Sequence, residues 1–196
     1  MATKQNLAIR AFFDEPTNTV TYLVWDRETK RGAVIDPVLN FDSRSGKVSV
    51  ASAQNVIDAA KNEVVAIELV LETHAHADHL TAAPYIKLKT GAKVGIGEHI
   101  TEVQKIFRPV FNLKDVSGDG AEFEHLYKDG EKFKIGNLEA EVLYVPGHTP
   151  ADIAYKIEDA VFVGDTLFMP DYGTPRSEPT LPAPVNTVLL TKTEAR

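Results

Sequence analysis

Nine consecutive residues, Leu71-Glu72-Thr73-His74-Ala75-His76-Ala77-Asp78-His79, set three imidazoles and an aspartate within six positions. Burying such groups without partners is costly, whereas a divalent metal rewards several nitrogen and oxygen donors that converge on one point. The flanks fit that reading. Ala66–Leu71 is an apolar run of strand length, and Leu80–Lys89 reads as a helix presenting Ala83, Tyr85 and Ile86 inward. Ala75 and Ala77 leave the loop between them free of bulky side chains. The pattern predicts a strand, a metal-binding loop and a helix in direct succession.

Composition narrows the chemistry. The chain has no cysteine, which excludes disulfides, thiolate metal sites, iron–sulfur clusters and a cysteine nucleophile, so a metal must take nitrogen and oxygen ligands. Lys+Arg of 21 against Asp+Glu of 28 leaves a net charge of -7, and nucleic-acid or anionic-membrane partners are not expected. A length of 196 residues with 43% hydrophobic and 25% charged residues suits one globular domain. The first ten residues lack the apolar run of a secretory signal, and no window approaches the roughly 20 apolar residues of a membrane span. The expected location is the cytoplasm.

The first half of the chain alternates strands and helices. Thr19–Trp25 and Gly32–Ile35 read as a hairpin joined by the polar turn Asp26–Arg31, with Asp36-Pro37 closing the second strand, and Ser52–Asn62 as a helix with Val56, Ile57 and Ala60 on one face and Ser52 placed to cap it. Gly91 ends the second helix. Lys93–Ile96 is the next strand, and His99–Phe111 is helical in period through Val103, Ile106, Phe107 and Val110. After Asn112 the pattern becomes a meander of Glu131–Ile135, Leu138–Val145, Ile153–Ile157 and Ala160–Val163, with Tyr127–Phe133 read as a hairpin turn. The residues from Arg176 onward carry Pro179, Pro182 and Pro184, with Thr187–Thr191 as one edge-strand candidate.

Two later segments offer further donors at strand ends. His148 lies in Val145-Pro-Gly-His-Thr-Pro150, and Asp165 in Val161-Phe-Val-Gly-Asp-Thr166, where Gly164 permits close backbone approach. His99 and His125 read as capping or surface residues, and Asp152 as a turn or strand-edge residue rather than a ligand.

His74-x-His76-x-Asp78-His79, then Gly147-His148-Thr149, then Gly164-Asp165, resembles the metallo-β-lactamase superfamily. Within it, Thr73–Tyr85 and the stretch Gly164–Arg176 look like the persulfide dioxygenase branch, which includes β-lactamase hydrolase-like proteins and is related to glyoxalase II. The resemblance runs from about Phe12 to Arg176. It implies an α/β fold, the αββα sandwich, with residues 1–176 as the domain and 177–196 as a divergent tail that leaves the C-terminal part of the second half incomplete.

The resemblance also implies a ligand set and a reaction. Iron in the dioxygenases is held by residues that correspond to His74, His148 and Asp165, and such a facial triad leaves three positions on octahedral Fe(II) for a substrate sulfur and dioxygen. The expected reaction oxidises glutathione persulfide, or a similar thiol persulfide, to sulfite and thiol. His76, Asp78 and His79 would stand behind the ligands and orient them or water. Arg176 matches the family arginine that meets a carboxylate of glutathione, a planar task suited to guanidinium. The competing assignment is a zinc thiolester hydrolase of the glyoxalase II type, with one or two Zn(II): His74, His76 and His148 on one ion, Asp78 and His79 on the other, Asp165 bridging. That arrangement normally uses one more histidine, and none follows His148. A third reading is a shortened, inactive metal-binding fold, and a homodimer is one way to cover the apolar face such shortening would leave.

Overall fold

Strands that are apolar on both faces need cover on both, and that requirement organises the chain. The computed structural model describes residues 6–167. In chain order the elements are β1 (Leu7–Asp14), β2 (Thr19–Asp26), β3 (Arg31–Ile35), β4 (Val38–Asp42), β5 (Lys47–Ser49), α1 (Ala51–Asn62), β6 (Ala66–Leu71), β7 (Leu80–Thr81), α2 (Ala83–Thr90), β8 (Lys93–Gly97), α3 (Ile100–Val110), β9 (His125–Tyr127), β10 (Lys132–Ile135), β11 (Leu138–Tyr144), β12 (Ile153–Ile157) and β13 (Ala160–Phe162). A single 3-10 turn, Gly164–Thr166, follows.

The larger sheet runs β1-β2-β3-β6-β8-β9, with β3, β6, β8 and β9 parallel. Alternate side chains of its central strands enter two different cores. Leu23, Val34, Val70 and Val94 meet α1 and α2 through Val56, Ile57 and Ile86 on one face. Val24, Ile35 and Leu71 meet the second sheet, β10-β11-β12-β13, through Leu138, Val142, Ile153 and Tyr155 on the other. Two packed sheets with a helical layer on one side match the sandwich that the resemblance implies, and β5-β4-β7 form a third, smaller sheet. Among the described residues no helix covers the outer face of the second sheet. The tail at 177–196, its strand candidate at Thr187–Thr191 and Arg176 lie outside the described residues.

The predicted hairpin, the helix after Val50 and the four-strand meander are all present. Five strands, β1, β4, β5, β7 and β9, were not anticipated. Leu80 and Thr81 pair with β4 as β7, so the second helix starts at Ala83 rather than Leu80. Ser52 does not cap α1. Its backbone N–H and hydroxyl instead bond Asn40 and Asp14, tying the helix to β4 and β1. Tyr127–Phe133 is no hairpin: Tyr127 ends β9 in the first sheet and Phe133 belongs to β10 in the second, so the turn between them carries the chain from sheet to sheet. The α3 periodicity is helical, but Ile106, Phe107 and Val110 face solvent and only Ile100 is buried. The segment after α3 packs on its polar side, with Gln104 and Arg108 bonding Glu122 and Ser117.

The two halves are stitched together where the site forms. β3 and β6 end side by side, with the Asp36 N–H donating to Leu71 O at 3.0 Å. From the second sheet, Ile153 N–H donates to Thr73 O at 3.0 Å and the buried Tyr155 hydroxyl donates to Glu72 O at 3.0 Å. Tyr155→Phe keeps the ring and strands that carbonyl in the interior. It is expected to cost about 1–3 kcal/mol, measured by urea unfolding with an unchanged m-value.

Candidate metal centre

His74, His148 and Asp165 arrive from three strand ends and meet. His74 follows β6 directly, and its side chain is 1% exposed. The Thr73 hydroxyl lies 3.0 Å from Nδ1, whereas Nε2 is buried without a hydrogen-bond partner among the described residues. That Nε2 lies 3.9 Å from Asp165 Oδ2, and His148 Nε2 lies 3.4 Å from the same oxygen. The two rings stand edge to face with centroids 5.0 Å apart. One donor atom from each of the three residues lies within 4.8 Å of the others. Ligands about 2.0–2.2 Å from a common ion sit at such separations after small side-chain adjustments. A buried imidazole nitrogen with no partner, turned toward a carboxylate and a second imidazole, fits an ion and is otherwise costly.

Protonation suits the same role. Burial, reinforced by the positive charge of His76, pushes His74 down to about 3, with Asp36 opposing, so the imidazole is neutral and in its ligand form. Burial raises the Asp165 carboxyl, partly offset by His148.

The other members of the motif face a different environment. His76 Nε2 lies 3.2 Å from Asp36 Oδ1 and 3.3 Å from Glu72 Oε2. Burial alone would lower this imidazole, but the two carboxylates raise it to about 11. The His79 side chain, 1% exposed, lies beside His76 with ring centroids 4.2 Å apart, and its Nδ1 lies 3.3 Å from both Asp78 Oδ2 and Thr19 Oγ1. His76, Asp78 and His79 form a second donor group of the same tightness, and Asp36, Glu72 and His76 a third. All six expected residues within 6–167 therefore gather in one place. Within it His74, His148 and Asp165 form one set and His76 belongs to the carboxylates behind it.

Asp36 and Glu72 are the contributors that sequence reasoning missed. Asp36 was read only as a strand end, yet its carboxylate accepts the Thr73 N–H at 2.8 Å and the Thr73 hydroxyl at 2.9 Å. It also precedes Pro37 with φ 47, a conformation that non-glycine residues rarely hold outside constrained sites. Asp-Pro after a buried strand was the available signal. Glu72 accepts from the Thr81 hydroxyl and so links the motif to the start of α2.

Two predictions follow from these contacts. Gly164 has φ 51, and a Cβ there would collide with Thr73 Oγ1 and sit 2.9 Å from Thr73 Cβ. Gly164→Ala is expected to cost about 1–3 kcal/mol and to weaken metal binding, read by chelator competition. The second concerns pH. Burial raises Asp36, but His76 and the Thr73 N–H bring it below 3.8, so its contribution is complete above that value and is lost as pH falls through it. His76 is raised, so its contribution is complete below 6.5 and is lost as pH rises toward 11. Stability of the metal-free protein should therefore decline from pH 6.5 to 9, with a shallower slope in Asp36→Asn, measured by denaturant titration.

Residues 14–195 match the metallo-beta-lactamase superfamily. The beta-lactamase hydrolase-like protein of Xylella fastidiosa is 42% identical over 174 residues, covering 89% of this chain and 40% of that one. Glyoxylase B2 of Dictyostelium discoideum is 43% identical over 173 residues, covering 87% and 59%. The mitochondrial persulfide dioxygenase ETHE1 of Bos taurus is 26% identical over 164 residues, covering 82% and 53%. The chain thus spans roughly half the length of these relatives. With the two-sheet sandwich and the His and Asp donors at its strand ends, the chain belongs to the metallo-β-lactamase superfamily.

Proposed function

We propose that His74, His148 and Asp165 hold a single Fe(II) and that the protein oxidises a thiol persulfide, glutathione persulfide or a close analogue, to sulfite and thiol. The observation that carries this reading is that His76, although its ring lies 4.1 Å from that of His74, has its Nε2 engaged by Asp36 and Glu72, which leaves His74, His148 and Asp165 as a two-imidazole, one-carboxylate set. The motif resemblance and the likeness to ETHE1, which is named a persulfide dioxygenase, support it.

Held by these three residues, Fe(II) would leave room to bind an anionic sulfur and dioxygen and would carry electrons between them. The protein's own contribution is placement. His74 closes the inner side, 1% exposed, while His148 and Asp165 are 24% and 29% exposed, so a small substrate reaches the centre from their side. Asp165 supplies the one negative charge of the set. One persulfide, one dioxygen and one water give one thiol, one sulfite and two protons, the outer sulfur losing the four electrons that dioxygen gains. Arg176, outside the described residues, is assigned to a substrate carboxylate on the resemblance alone.

A dinuclear zinc thiolester hydrolase is the second reading, favoured by the donor group His76, Asp78 and His79 beside the first. Metal analysis with oxygen uptake separates the two. About one iron per chain, with persulfide-dependent oxygen consumption and sulfite release, is the expected result. Two zinc ions with thiolester cleavage and no oxygen uptake would overturn it. His148→Ala, which removes one of three protein ligands, should abolish stoichiometric iron binding.

A further inference from the structure

The turn that carries His148 is built around a buried carboxylate. Asp152 is 3% exposed, and each of its oxygens takes a donor from the residue that follows His148: Oδ2 accepts the Thr149 N–H at 2.7 Å and Oδ1 accepts the Thr149 hydroxyl at 2.5 Å. The Asp152 backbone C=O accepts the Val145 N–H at 3.0 Å, which closes the turn at its other end. Within the loop Gly147 N–H bonds Thr149 O, and Ala151 N–H bonds Thr149 Oγ1.

The next residue anchors this unit to the opposite half. Ile153 N–H donates to Thr73 O, one position before His74. Residues 151–153 also lie against the end of β8, where a Cβ on Gly97 would come within 2.8 Å of Ile153 Cγ2 and 3.3 Å of Ala151 O. The base of the turn is therefore fixed, and what remains adjustable is the direction of its tip. A four-atom arm on Thr149, two donors on two oxygens, removes that freedom.

We infer that Asp152 is a positioning residue, which through Thr149 aims the His148 ring at His74 and Asp165. The inference rests on His148 being a metal ligand and does not depend on the metal being iron or the substrate a persulfide. Asp152 has no part in holding the ion. Its carboxylate takes the two Thr149 donors and the backbone N–H of His148, and it belongs to none of the three donor groups among the described residues.

The test is Co(II) binding to the metal-free full chain, followed by competition with a chromophoric chelator and by the visible absorption of the bound ion, which reports its coordination. Asp152→Ala is expected to lower Co(II) affinity by about 10–100-fold and to alter the absorption band. Asp152→Asn, which can serve only part of the Thr149 donor pair, should fall between, as should Thr149→Val, which keeps the backbone bond and loses the hydroxyl. These two milder variants carry the test if Asp152→Ala does not fold. Wild-type affinity and spectrum in the folded variants would overturn the inference. If wild-type protein bound no Co(II) at all, the metal-centre reading and this inference would fall together. Co(II) behaviour as expected in a protein that consumes no oxygen with persulfide would leave Asp152 in its role and refute the dioxygenase reading alone.

Discussion

The Asp36 carboxylate is the group on which the site's architecture depends. It sits at the junction of β3 and β6, takes two donors from Thr73 and faces the His76 ring, so one buried side chain sets the direction of the backbone just before His74 and holds the imidazole two residues after it. A buried carboxylate is tolerable only when its oxygens are saturated with donors, and here the donors are the site itself. The energetic demand of burying Asp36 and the geometric demand of placing His74 are met by the same bonds.

Similar logic operates on the opposite wall. Asp152 holds Thr149 as Asp36 holds Thr73, in each case a buried aspartate gripping the N–H and hydroxyl of a threonine adjacent in sequence to a histidine of the set. The two halves carry unrelated strand patterns, mixed in one and antiparallel in the other, yet fix their imidazoles by the same local device. Gly164 completes the arrangement by letting the Asp165 turn press against Thr73.

The donor cluster stands out because its members are neighbours in the chain, whereas His148 and Asp165 are weak signals singly and read as donors only through their order and strand-end placement relative to that cluster. Asp36 and Asp152 escaped as functional residues because their role exists only once distant segments are in register; in one dimension each is an ordinary acidic residue at a strand end. Ser52 reads as a cap from its position, but Asp14 and Asn40 compete for it from strands that local sequence does not connect. The α3 stripe shows a different limit. Its period is that of a helix, but period does not say which neighbour arrives, and the following segment covers the polar side. β1 escaped because Ile9 and Phe13 remain exposed on an edge strand, so no clean alternation marks it.

The positions of the three donors have a mechanical meaning. His74 belongs to the first sheet, whereas His148 and Asp165 flank strands of the second, so an ion held by all three joins parts of the chain that are far apart in sequence. In a chain without cysteine, such an ion would take the place of a crosslink. It would close large loops, reinforce the few hydrogen bonds that join the two halves at this end, and make loss of the metal a loosening of the sandwich as well as a loss of chemistry.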